Sequence, residues 1–212
     1  YDRYNFTFRN TTSFLNDKMT CDFNFNYIRE KDKNLMAQGQ WFNPLTSLYL
    51  FPRGESFDAI RTFEVYDPVR KIYVQNWNYG DALKMQNPYW VNYRNLRENK
   101  KDRYMLGASL NYQILDWLSV SGRVRLDNSN NDYTEKAYAS TNTQLTELSD
   151  RGLYGISRSY EKQLYADFLV SVNKTFGEKW SLQANMGGSF TDMRYDEMAV
   201  RGPIADDSKT FA

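Results

Sequence analysis

Between residues 32 and 101 the sequence sets Trp41, Tyr49, Trp77, Tyr79, Trp90 and Tyr93 among asparagines and arginines, with Arg94 directly after Tyr93. Aromatic faces stack on sugar C–H surfaces and on peptide side chains, while amides and guanidiniums hydrogen-bond hydroxyls and carbonyls. This is recognition chemistry, and these seven residues are the candidates for contact with a substrate or a partner. A long ordered loop must also pack on itself, so some of the rings are expected to form the loop's own core. A second polar set, Arg123, Arg125, Asp127 and Asp167, falls on alternating segments and would line one polar face. A short helix is expected over 56–66, with Ser56 as cap and Phe57, Ile60 and Phe63 on one side, as scaffold.

Covalent chemistry is poorly provided for. Histidine is absent from the 212 residues, so no Ser-His-Asp triad, Cys-His dyad or His-ligated zinc is available. The single cysteine, Cys21, cannot form an internal disulfide or a Cys-based zinc cage, and reads as a small hydrophobe. The run from Asp127 to Asp132 has calcium-loop flavour, but Asp132 and Tyr138 stand where Gly and Glu are needed. Gly187-Gly188 lacks the Lys-Ser/Thr ending of a phosphate loop, and the sequons at Asn10 and Asn173 lie on or beside strands. We therefore expect no enzyme, no metal and no cofactor. The formal net charge of +1 leaves no cationic excess for phosphates, so nucleic acid is not expected as a partner.

The elements that would position the recognition residues are strands. Six segments alternate apolar and polar residues with period two. Tyr4, Phe6 and Phe8 share a face, as do Cys21, Phe23, Phe25 and Tyr27. Two longer segments follow, centred on Ala108 and on Gly122, and then two more, centred on Phe168 and on Met186. The opposite faces carry Asn, Ser, Gln, Arg and Asp. Several segments sustain alternation for roughly ten residues, beyond the usual 5–6 of a globular strand and close to the 9–11 of a membrane strand. Alternation also explains how 17% aromatic residues coexist with a mean hydropathy of −0.75.

The connections are short, long, short, long. Tight turns join each pair, while residues 32–101 and 129–158 form long segments between pairs. Trp117 and Trp180 sit just after short turns, where indole suits a membrane interface. The expected fold is all-β: an antiparallel transmembrane β-barrel segment of six long strands in three hairpins, with short periplasmic turns and long extracellular loops. Six strands are too few to close a membrane barrel, and the chain opens almost directly on a strand, so we read it as an interior piece of a longer protein. The alternative is a soluble or surface-exposed glycan-binding β-sandwich or adhesin module.

Several stretches resemble one family. Asn87-Pro88-Tyr89-Trp90 with Asn92-Tyr93-Arg94-Asn95, Phe42-Asn43-Pro44-Leu45 followed by Tyr49 to Gly54, and Val74-Gln75-Asn76-Trp77 are similar to the long-loop motifs of the SusC-like (SusC/RagA) TonB-dependent outer-membrane transporters. The run from Trp117 to Val124, Asn131-Asp132-Tyr133-Thr134 with Tyr138-Ala139-Ser140, and Tyr165-Ala166-Asp167 resemble the family's barrel segments in the same order. The resemblance implies a barrel of about 22 strands around an N-terminal plug. It further implies active import of oligosaccharides or oligopeptides, a SusD-like surface lipoprotein as partner, coupling to the TonB complex, and residence in the outer membrane. Plug and TonB box would lie upstream of this sequence.

Overall fold

The structure is a computed structural model that describes residues 1–35, 39, 41, 43–77, 85–177 and 180–205. Six strands form one antiparallel sheet: β1 (Asp2–Phe14), β2 (Met19–Lys33), β5 (Asn95–Leu115), β6 (Leu118–Ala137), β7 (Leu153–Phe176) and β8 (Trp180–Pro203). They lie in the order β1-β2-β5-β6-β7-β8, so each long strand pairs with its neighbours in sequence, and the sheet is open at β1 and β8. A two-stranded hairpin, β3 (Glu64–Asp67) and β4 (Ile72–Gln75), stands apart between β2 and β5, with two short helices, α1 (Pro44–Tyr49) and α2 (Pro88–Arg94).

The register explains the alternation. Directly paired residues of an antiparallel ladder share a face. One row runs Phe25, Leu106, Leu126, Leu164, and the next runs Phe23, Ala108, Val124, Ala166, Phe190. On the other face of the same strands Gly107 pairs with Asn24 on one side and Arg125 on the other, and Arg123 pairs with Asp167. Each hairpin thus keeps its apolar set on one side, because a slip of one residue would invert it. The first tight turn uses three consecutive left-handed residues, Leu15, Asn16 and Asp17.

The apolar face is a band, not a full face. On β5 it runs from Tyr104 to Tyr112, roughly 27 Å of strand at about 3.4 Å per residue. Beyond it the same face turns polar: Arg29, Asp102, Asn130, Tyr160 and Asp196 lie on or beside a single row. Lys31 and Lys100 pair in the row above, and both approach Glu98, at 3.1 and 3.6 Å. The Lys31 ammonium, and less strongly Lys100, holds the Glu98 carboxyl below the usual carboxylate range. At the other margin Lys174 sits over the rings of Trp117, at 4.7 Å, and Phe176, at 5.3 Å.

The long strands reach further than the alternation shows. β5 starts at Asn95, β6 ends at Ala137, β7 starts at Leu153 and β8 ends at Pro203. The connecting segments are therefore 34–94 and 138–152, shorter than the expected 32–101 and 129–158. On β5 and β6 both faces beyond the band are polar, as in Asn99-Lys100-Lys101-Asp102, so hydrophobic period ceases to report the strand there.

The dry core lies away from the sheet. Ile60, Ile72, Trp90, Val91 and Leu145 are buried, and all belong to the connecting segments; Leu153 and Ala137 join them from the strand ends. In contrast, Phe6, Phe168, Met186 and Phe190 on the band are more than half exposed. These connecting segments fold into a cap at one end of the sheet.

Candidate functional site

Both helices of the cap start the same way. Asn43 and Asn87 act as N-caps, each accepting a hydrogen bond from the backbone N–H two residues on, with Pro44 and Pro88 at the first helical position. Proline has no N–H to lose there, and its φ already suits a helix. The two Asn-Pro pairs are thus helix-start signals. The helix expected over 56–66 is a single 3₁₀ turn, Phe57–Arg61, and the Ser56 side chain makes no capping bond. From Glu64 the chain is drawn into the β3–β4 hairpin, where Val65 pairs with Val74 and Tyr66 with Tyr73. Asp67 shapes that hairpin's turn by accepting from the N–H groups of Val69 and Arg70.

Asn87 is completely buried and fully satisfied. Its Nδ2 donates to the carbonyls of Ile60, at 2.8 Å, and Asn76, at 3.1 Å, while its backbone N–H donates to Gln75 Oε1 at 2.7 Å. One residue, through its side chain and its backbone N–H, therefore gathers the 3₁₀ turn, the end of β4 and α2. Trp90, also fully buried, donates from Nε1 to Thr141 Oγ1 at 3.0 Å, and the Thr141 hydroxyl donates in turn to Asn95 Oδ1 at 2.8 Å. Arg94 makes two 2.8 Å bonds to the Glu64 carboxylate and lies over the rings of Phe63 and Tyr138, at 5.6 and 5.2 Å. Such a bidentate, ring-stacked arginine is a clamp within the cap.

The structure sorts the seven recognition candidates. Trp90 and Arg94 are structural: one is sealed in the core and the other is spent on Glu64. Trp41 offers its carbonyl to Gln86 Nε2, and Trp77 packs against Phe51 at 6.5 Å. Tyr79 falls outside the described residues. Tyr49 and Tyr93 remain accessible, at 86% and 55% exposed. Tyr93 is one of three rings lying nearly parallel, with Phe63 at 5.6 Å and Tyr89 at 6.4 Å. Exposed Tyr66 and Tyr73, 5.5 Å apart on the hairpin, join the accessible aromatic surface. They were missed because the alternation of Glu64 to Asp67 is too short to announce a strand. The polar members Gln75, Gln86 and Thr141 carry no sequence signal of their own, since buried and exposed amides look alike.

Arg123, Arg125, Asp127 and Asp167 share one face of the sheet. Arg123 Nε bonds both oxygens of Asp167, at 3.1 and 3.0 Å, and Asp127 is held by Arg103. Arg125 lies between them, paired in register with Gly107 and Tyr165. Arg9 closes on Asp22 in the same way. These are ion pairs of a solvated face, and the Thr11 hydroxyl joins them by donating to Asp22 Oδ2 at 2.7 Å. Among the described residues no cluster of three metal-ligating side chains occurs.

Further along this face, well past Leu126, the cap is fastened to the wall. Glu135, Gly155 and Arg201 pair side by side across β6, β7 and β8. A Cβ on Gly155 would stand 3.3 Å from Arg201 Cγ, so the glycine leaves the gap through which Arg201 reaches Glu135 at 3.0 Å. Arg201 also meets Glu147 and the Leu145 carbonyl in the 138–152 segment. Burial pushes the phenol of nearby Tyr133 up. Gly155→Val is expected to lift Arg201 off Glu135 and weaken this fastening by about 1 kcal/mol, given its partial exposure. Hydrogen exchange should show faster exchange in 143–152 while β5 is unchanged; equal exchange in both would contradict it.

No family model matches the chain, and the search of curated proteins finds no significant match.

Proposed function

We propose that this chain forms part of the wall and outer cap of a SusC-like TonB-dependent outer-membrane transporter that imports oligosaccharides or oligopeptides. The single observation that carries the reading is the apolar band of limited height. It has tyrosines at one margin and a lysine over Trp117 and Phe176 at the other, and the opposite face holds paired charges. A soluble sandwich buries its apolar face along the whole strand and has no reason to end that face in aromatic margins. A membrane wall confines its apolar face to the height of the hydrocarbon and ends it in aromatic margins.

In this reading the open edges at β1 and β8 pair with further strands of the same barrel, since unpaired backbone in lipid costs several kcal/mol per group. The cap faces outward, where Tyr49, Tyr66, Tyr73 and Tyr93 meet the substrate or a SusD-like lipoprotein. TonB acts through the N-terminal region, and the chain performs no catalysis.

Topology provides the test. An epitope inserted after Leu148 in the 138–152 segment should bind antibody on intact cells. One inserted at Gly177, in the β7–β8 turn, should bind only after the outer membrane is permeabilised. Reversed labelling would sink the orientation. Recovery of the protein from the aqueous fraction without detergent would favour the glycan-binding sandwich instead.

A further inference from the structure

Three consecutive residues of the short segment each engage a different residue of the long one. Ser140 accepts from the Gln75 backbone N–H at its Oγ, at 3.0 Å, and from Gln75 Nε2 at its carbonyl, at 3.2 Å. The Thr141 hydroxyl accepts from the Trp90 indole N–H at 3.0 Å and donates to Asn95 Oδ1 at 2.8 Å. The Asn142 backbone N–H donates to Gln86 Oε1 at 3.0 Å. Gln86, Trp90 and Thr141 are almost wholly buried, so their polar atoms have no water to fall back on. Ser140 holds φ at +76°, a left-handed conformation that a residue with a Cβ adopts only when its surroundings impose it.

We infer that Ser140-Thr141-Asn142 is a latch: these are positioning residues that fix the long segment 34–94 over the end of the wall, so that the two connecting segments order and loosen together. The sequence separation makes this non-trivial. The strands that flank the two segments are already held by their own ladders, so nothing in the sheet requires the segments to touch. The contacts instead run from side chain to backbone and from indole to hydroxyl, and each needs a particular atom. Coupling of this kind is reciprocal: whatever loosens one segment must loosen the other. A substrate or partner that grips the exposed rings of the long segment would then tighten 138–152, and through Arg201 the upper wall. The latch itself follows from the contacts alone and holds whether or not the wall crosses a membrane.

Hydrogen exchange with mass spectrometry on the purified protein tests it. Thr141→Val keeps the shape but can neither accept from Trp90 nor donate to Asn95; Thr141→Ser can do both. The valine variant should exchange the amides of 85–94 about ten-fold faster, with β5–β8 unchanged, and the serine variant should restore protection. Gln86→Leu, on the long segment, should speed exchange in 138–152. Loosening confined to 138–152 in the valine variant, failure of serine to rescue, or an unchanged 138–152 in Gln86→Leu would each overturn the latch. Should Thr141→Val lose the sheet as a whole, Gln86→Leu decides alone, because Gln86 belongs to no strand.

Discussion

Val124→Arg is expected to destabilise the inserted protein by about 2–4 kcal/mol, while Ser121→Arg, three residues away on the same strand, should cost under about 1 kcal/mol. Val124 stands in the apolar row between Ala108 and Ala166, about half exposed. Ser121 faces the other way, paired with Asn111 and Leu169. A guanidinium near the middle of hydrocarbon loses its hydration and finds no partner, whereas on the polar wall it joins Arg123 and Arg125 in water. Urea unfolding from lipid vesicles would measure both. Equal losses would mean that the band does not face lipid, and the reading of the sheet as a membrane wall would go with it.

Trp90→Ala should unfold the cap without unfolding the wall. Removing a fully buried indole costs about 3–5 kcal/mol, and Thr141 loses a donor that no water replaces. The cap's core is small, so most of its local stability should go. The expected result is loss of exchange protection across 85–94 and 138–146 with the strand signal in circular dichroism intact. Uptake or partner capture should fall with it, because Tyr93 is positioned by the same helix. Retained protection in both segments would show that the core does not depend on Trp90.

The six long strands and their facing were legible because a half-buried strand writes its geometry into the chain at period two. Phe23, Val124 and Phe168 could be assigned to one face without coordinates for that reason. Strand ends were not legible, since beyond Leu126 and Tyr104 both faces meet a polar environment. The cap was legible only in outline. Its rings were visible, but their roles were not: Trp90 and Tyr93 are neighbours three residues apart on α2, yet one is sealed against Thr141 and the other lies open beside Phe63. The buried amides Asn87 and Gln86 were invisible, because their importance lies in backbone partners such as Ile60 and Asn142, far away in sequence.

The placement of the cap bears on how the sheet assembles. β5–β6 and β7–β8 are joined by tight turns and β6 reaches β7 through 138–152, so the four can zip as a meander, whereas β2 meets β5 only after the much longer 34–94 is looped out. Closing such a loop costs entropy that no ladder bond repays until the strands touch. A cap that condenses early around Trp90, onto a segment already held between β6 and β7, brings Asn34 to within 2.8 Å of Arg97 and so delivers the end of β2 to its pairing partner. The cap is then an assembly jig as well as a surface: with Trp90 replaced, the β1–β2 hairpin should join last and slowly, while β5–β8 form at their usual rate, a separation that pulse-labelled exchange during refolding would reveal.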